Sequence, residues 1–103
     1  MLEAGFMNDI LFRRACWLLG VSVEEIRSEK KTRDLVYRRV VLSRWLKSRG
    51  MRYEDIGKYL GRKHSCVPYY DRIFRNDSKT RKGLMYMDTK FSREIKVLED
   101  KLI

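Results

Sequence analysis

The chain has 103 residues, 44% of them hydrophobic, and a formal net charge of +10. This size and composition predict one globular domain, residues 1–103, with a single core. No apolar run reaches the roughly 18 residues of a membrane-spanning helix, and the N-terminus lacks a secretory pattern. We therefore expect no membrane partner and a cytoplasmic location.

The positive charge is concentrated in the middle of the chain. Residues 27–82 hold 18 Lys and Arg against 6 Asp and Glu, a net charge of +12, whereas the two ends are acidic or neutral. Such a segment attracts polyanions. It predicts a nucleic-acid partner and association with the nucleoid, and a basic face kept for solubility is the open alternative.

Helical periodicity recurs along the chain and strand patterns are weak, which predicts an all-α fold of about five or six helices. The first helix is expected over residues 8–19, with Gly20 ending it. Ser22 and Glu25 form a capping box, which predicts a short second helix that ends near Arg27.

A long third helix follows, with Asp34 as its expected cap and Gly50 after its last turn. Its apolar stripe is formed by four residues: Leu35, Leu42, Trp45 and Leu46. Because Trp45 and Trp17 both lie beside leucines on helical segments, both are expected in the core.

Next come a helix over residues 53–60, a break at Gly61 and a further helix that starts around Ser65. These signals predict a helix-turn-helix over residues 53–74. After it, residues 77–83 are polar and expected to be loose.

A final helix is expected over residues 91–102, where four apolar residues recur with helical spacing: Phe91, Ile95, Leu98 and Leu102. This stripe is interpreted as a strut that closes the core. A dimer seam is the alternative, so the chain is expected to be a monomer or a weak dimer.

The stretch GRKHSCVPYYDR, residues 61–72, contains the only histidine and the only proline of the chain. With Ser65 as N-cap, Pro68 falls in the first helical turn, where no intrahelical N–H is lost. The preceding cations, the hydroxyl and the free N–H groups of the helix start would then face phosphates and base edges. Of the adjacent Tyr69 and Tyr70, one should pack and one should be exposed.

The string IGKYLGRKHSCV, residues 56–67, resembles the signature I-G-x-x-F-G-G-R-D-H-[ST]-T-V of the C-terminal duplex-DNA-binding domain (domain IV) of the bacterial chromosomal replication initiator, DnaA. Residues 21–39 are similar to the short helix and basic loop of that family, and the resemblance covers roughly residues 8–103. It implies a Trp-repressor-like fold. The second helix of the helix-turn-helix would enter the major groove of DNA, and the basic loop would reach the adjacent minor groove.

The resemblance and the residues that depart from it give nine candidate DNA-binding residues: Lys30, Lys31, Arg33, Arg39, Arg62, Lys63, His64, Ser65 and Tyr69. Within this set, the resemblance implies that Arg33 enters the minor groove. It also implies that His64 and Ser65 contact base edges and that Val67 packs inward.

Three departures from the family pattern are visible. Lys63 replaces an aspartate, which exchanges a hydrogen-bond acceptor for a donor and predicts a different DNA target. One glycine of the usual pair before Arg62 is missing, and Pro68 and Tyr69 are unusual there. The chain also has no GxxxxGK[ST] loop, so no ATPase activity is expected.

The sequence gives only weak signals for a metal site or a catalytic site. His64 and Cys66 supply at most two ligands of a four-ligand zinc site, and no nucleophile or paired acid accompanies His64. We expect no metal, cofactor, catalytic residue or small-molecule substrate. Cys16 and Cys66 are expected to be reduced thiols.

These observations predict a sequence-preferring, double-stranded DNA-binding protein in replication or transcription control. Two alternatives remain open. The first is an RNA-binding protein that prefers single strands or hairpins. The second is a protein-interaction adaptor with only weak affinity for DNA.

Overall fold

The computed structural model describes residues 2–76 and 81–102, in which the chain forms helices and no strand. In chain order the six helices are α1 (Leu2–Leu18), α2 (Val23–Arg27), α3 (Arg33–Ser48), α4 (Tyr53–Leu60), α5 (Cys66–Asn76) and α6 (Arg81–Leu102). The prediction of an all-α fold is confirmed. None of these helices is long and apolar enough to cross a membrane.

The central element is α3, which packs against α2, α4, α5 and α6. Its own buried residues cover most of its circumference: Leu35, Arg39, Val40, Val41, Leu42, Ser43, Trp45 and Leu46. The first helix, α1, closes the core by packing on α2 and α6. The other helices therefore take their positions from α3.

The helix starts follow local hydrogen bonding. The Glu25 N–H donates to Ser22 Oγ at 3.0 Å and the Ser22 N–H donates to Glu25 Oε1 at 3.3 Å, so the predicted capping box is confirmed. The predicted cap of α3 is wrong. Thr32 Oγ1 accepts from the Leu35 N–H at 3.3 Å, and Asp34 lies inside the first turn, where its charge favours the helix N-terminus.

The two tryptophans differ. Trp45 is buried as predicted, and its ring meets that of Phe91 edge-on at 5.7 Å between centroids. The prediction for Trp17 is wrong, because 70% of its surface is exposed. Its helix fills the core from the opposite side, with Leu11, Phe12, Ala15, Cys16 and Leu19.

The last helix is longer than predicted. It begins at Arg81, so residues 81–83 are helical rather than loose, and residues 77–80 lie outside the described part of the chain. The burial of Leu84 explains this early start, since it anchors the first turns of α6 in the core.

The predicted strut is confirmed for the side chains that the structure describes. Phe91 and Ile95 are buried in the core and Leu98 is half-buried, whereas the side chain of Leu102 lies outside the described residues. The apolar stripe is thus largely used inside the chain, which leaves little of it for a dimer seam.

Both cysteines are free thiols, as predicted, with Cys16 buried and Cys66 half-buried. Burial raises the pKa of the Cys16 thiol to about 12. Cys16 is therefore a packing residue that stays protonated at neutral pH.

Candidate nucleic-acid interface

The turn between α4 and α5 is closed by a single glycine. Gly61 adopts a left-handed conformation with φ of 65°, and its N–H donates to the Lys58 carbonyl at 3.2 Å. The Arg62 N–H donates to the Gly57 carbonyl at 2.7 Å. This pattern of backbone bonds ends a helix and reverses the chain, so the turn forms without the second glycine of the resembling family.

A second glycine, inside α4, lets the turn fold back over the helix. A Cβ atom at Gly57 would lie 2.6 Å from the Arg62 carbonyl oxygen and 3.2 Å from the His64 nitrogen. Both contacts are with backbone atoms, which cannot move aside cheaply. Gly57 therefore sets the close packing of the turn on α4.

Helix α5 begins at Cys66, directly after Ser65, and Pro68 lies in its first turn as predicted. The Cys66 N–H donates to the Lys63 carbonyl at 3.0 Å, and the Val67 N–H donates to the His64 carbonyl at 3.2 Å. These amides are already used, and Pro68 has none. The expectation of free N–H groups at this helix start is corrected, and cationic and hydroxyl side chains remain for phosphates.

The position of α5 is fixed by the burial of its inner face and by a hydrogen bond with α3. Val67 is fully buried, which confirms its predicted packing role. The Lys47 Nζ donates to Asp71 Oδ2 at 2.8 Å. Tyr70 is buried and Tyr69 is 52% exposed, so one tyrosine packs and one is exposed, as predicted.

Arg39 is not available to DNA in this structure. Its side chain is 1% exposed, and its Nε donates to the Ile26 carbonyl at 2.9 Å. Its Nη2 donates to the Ser28 carbonyl at 3.0 Å and to the Glu25 carbonyl at 3.4 Å. The assignment of Arg39 as a DNA-binding residue is therefore corrected: this arginine satisfies the carbonyl groups at the end of α2.

Arg62 joins the turn to the loop that precedes α3. Its Nη2 donates to the Ser28 carbonyl, and its side chain also hydrogen-bonds that of Tyr70. Burial raises the pKa of Tyr70, an effect that the nearby guanidinium opposes. Because Arg62 is half-buried in these contacts, its first role is to hold the turn and the loop together.

The remaining seven of the nine predicted residues are exposed: Lys30, Lys31, Arg33, Lys63, His64, Ser65 and Tyr69. The structure brings several of them to one cleft of about 830 Å³, which we call the basic cleft. Lys31 lines it from the loop, and Lys63 and Tyr69 line it from the helix-turn-helix. Arg39, Arg62 and the acidic Glu29 also line it, whereas Lys30, Arg33, His64 and Ser65 lie outside it. Residues more than thirty positions apart in sequence thus share one surface.

The sequence reasoning missed the outward face of α5 beyond Tyr69. Arg72, Arg75 and Asn76 are all exposed there. Ser65, Tyr69, Arg72 and Asn76 recur with spacings of 4, 3 and 4, which places them on one side of the helix. That spacing was visible in the sequence and could have revealed the face.

Among residues 2–76 and 81–102, no three His, Cys, Asp or Glu side chains are grouped so that they could hold a metal ion. His64 is an exposed side chain at the end of the turn.

Comparisons with protein-family models, with curated proteins and with solved structures give no match for this chain. The resemblance of residues 56–67 to the initiator domain therefore stands on the motif alone.

Proposed function

We propose that this chain is a sequence-preferring, double-stranded DNA-binding protein that acts without ATPase activity in the control of replication or transcription. Its α5 would lie in the major groove, and the basic loop of residues 28–32 would lie at the adjacent minor groove. Arg33, expected in that loop, is instead the first residue of α3, next to the loop. The observation that carries this proposal is the basic cleft, in which Lys31 from the loop meets Lys63 and Tyr69 from the helix-turn-helix.

The rigidity of this arrangement supports the proposal. A helix in the major groove and a loop in the neighbouring groove bind together at a lower entropic cost when their separation is fixed before binding. Arg62 and Arg39 both donate to the Ser28 carbonyl, which ties the turn, the loop and α3 into one unit. The exposed cations of the loop and turn are then held in fixed positions before DNA binds.

The charge distribution supplies the affinity in this proposal. Residues 27–82 carry 18 Lys and Arg against 6 Asp and Glu. Each phosphate neutralised by such a side chain releases condensed counterions, which makes binding fall steeply with salt. Contacts with about 5 to 8 phosphates would give a strong salt dependence.

The outward face of α5 supplies the sequence preference. Lys63 can donate to the O6 and N7 atoms of guanine, and Asn76 can pair with adenine if it reaches the groove floor. Tyr69 presents an exposed ring to a thymine methyl or a sugar. Because Lys63 stands where the resembling family has aspartate, we expect a target that differs from that family's.

The test is a salt titration of duplex binding with charge-neutral variants. In the variant Lys30→Gln/Lys31→Gln, the slope of log K against log salt should become shallower by up to about 2, because each lost phosphate contact removes about 0.9. The matched control, Arg13→Gln/Arg14→Gln, alters two exposed cations of α1 and should keep the wild-type slope. Equal slopes for all three proteins would contradict a role for the loop, and tighter binding of single-stranded RNA than of duplex would favour the RNA alternative.

A further inference from the structure

The outer face of α6 carries a regular stripe of exposed side chains. They recur at spacings of 4, 4, 3, 4 and 4 along the helix: Lys82, Tyr86, Lys90, Arg93, Val97 and Lys101. Four of the six are cations, and Tyr86 is 72% exposed. The stripe is as regular as a buried helix face, yet it points to solvent.

The net charge of this part of the sequence does not indicate a basic surface, because residues 83–103 contain four basic and four acidic residues. The fold turns two of the four acids inward. Glu99 accepts from Arg49 Nη1 at 2.7 Å and from Trp45 Nε1 at 3.0 Å, and Asp88 lies 3.9 Å from Arg44 Nε. Of the other two, Glu94 is half-buried, and the exposed Asp100 lies on the stripe itself, three residues after Val97.

The stripe lies on a helix that makes no extensive contact with α2 or α4. Helices α2 and α4 pack against α3 and against each other, whereas α6 packs against α3, α1 and α5. No residue of the described part of α6 lines the basic cleft, so the stripe and the cleft are formed by different residues.

The charged and apolar residues of the stripe indicate which class of partner it can bind. A second copy of this chain would bring like charges together, and a membrane surface would need more apolar area than Tyr86 and Val97 provide. From Lys82 to Lys101 the helix rises about 28 Å, and the phosphates of one DNA strand recur about every 3.4 Å along the duplex axis, so the stripe is long enough to meet several of them. Lysine, arginine and the tyrosine hydroxyl are common donors to phosphate oxygens.

We propose that the outer face of α6 binds the phosphate backbone of a second DNA duplex, so that one molecule bridges two DNA segments. This inference rests on the proposed function, because the first duplex is bound by the helix-turn-helix and the basic loop. The second contact is independent of base sequence, since no recognition side chain accompanies the cations.

The test is a bridging assay with two duplexes. A biotinylated duplex is fixed to beads, a second fluorescent duplex is added with protein at about 0.1 M salt, and the captured fluorescence is measured. The wild-type protein should capture the second duplex. The variant Lys90→Gln/Arg93→Gln should capture about fivefold less, with an affinity for a single short duplex within about twofold of wild type.

The control Arg13→Gln/Arg14→Gln removes the same charge from α1 and should bridge like the wild type. Three results would overturn the inference while leaving the proposed function intact: wild-type protein that binds one duplex but captures no second, an α6 variant that bridges normally, or light scattering that shows the free protein to be a dimer. An α6 variant that loses single-duplex binding would also overturn it, because the stripe would then belong to the first interface. If the wild-type protein binds no duplex at all, the proposed function fails as well.

Discussion

Arg39 and Arg62, which both line the basic cleft, donate hydrogen bonds to the same backbone carbonyl, that of Ser28. Burial, and after it the charge of Arg62, lower the pKa of Arg39. Two like charges on one acceptor are unfavourable unless their other hydrogen bonds are satisfied, as they are here by the end of α2 and by Tyr70. The pair makes the loop and the turn a single structural unit.

The first prediction concerns Arg39. The substitution Arg39→Met keeps much of the side-chain volume but removes three hydrogen bonds to the carbonyls of Glu25, Ile26 and Ser28. The Ser28 carbonyl keeps the bond from Arg62, whereas the Ile26 carbonyl loses its side-chain donor. We expect a loss of about 3 kcal/mol in the free energy of unfolding, measured by urea denaturation. The exposed Arg33→Met should change stability by less than about 0.5 kcal/mol. A stable Arg39→Met protein with reduced DNA affinity would instead support a direct contact with DNA.

The second prediction compares two glycines. In Gly57→Ala the new Cβ would meet the Arg62 carbonyl at 2.6 Å, so we expect a loss of at least about 2 kcal/mol and a disturbed turn. In Gly83→Ala the Cβ would lie 3.8 Å from the Tyr37 ring of α3, an ordinary van der Waals contact. Because alanine favours a helix more than glycine does, the free energy of unfolding should rise by up to about 1 kcal/mol. Thermal melting of the two variants gives the comparison. Equal changes in stability for the two variants would show that the turn is not closely packed on α4.

The third prediction compares the two tryptophans. Trp45→Ala should lose about 3 to 5 kcal/mol, since it empties a core site and removes the hydrogen bond to Glu99. Trp17→Ala should lose less than about 0.5 kcal/mol, because its ring is largely exposed. Iodide should quench the fluorescence of Trp17 in a Trp45→Phe protein and leave Trp45 nearly unquenched in a Trp17→Phe protein. Strong protection of Trp17 would contradict its position on the surface.

The fourth prediction is an alkaline loss of stability caused by Cys16. The thiol pKa is raised from 9.0 to about 12 by burial, so the unfolded chain releases its proton first and stability falls as pH rises above about 9. Between about pH 8 and about pH 10, Cys16 should remove about 1.4 kcal/mol. In Cys16→Ala this part of the pH dependence should disappear, as measured by urea denaturation at both pH values. If the free energy of unfolding changes between the two pH values by the same amount in Cys16→Ala as in the wild type, the thiol is not buried.

Local signals in the sequence predicted the parts of the fold that depend on backbone chemistry. Ser22 with Glu25 marks a capping box, Gly61 marks a left-handed turn, and Pro68 can lie only in the first turn of α5. Each of these is decided within a few residues. That is why the helix-turn-helix could be located before the structure was known.

The errors concern properties that depend on distant parts of the chain. Arg39 was assigned from the family resemblance and Trp17 from the leucines beside it, but burial is decided by which face of a helix the other helices cover. The sequence shows an arginine in a basic segment and does not show that three carbonyls at the end of α2 will surround it. The cationic face of α6 was missed for the same reason, since α3 holds Asp88 and Glu99 on the inner side.

The most direct test of the central claim is selection from a randomised duplex library at near-physiological salt, with single-stranded RNA as competitor. Our account predicts enrichment of a short duplex motif by the wild-type protein, and a less specific motif for His64→Ala with only a modest loss of total affinity. Salt-sensitive binding with no enriched motif, or binding that RNA abolishes, would contradict the claim that this protein reads duplex DNA.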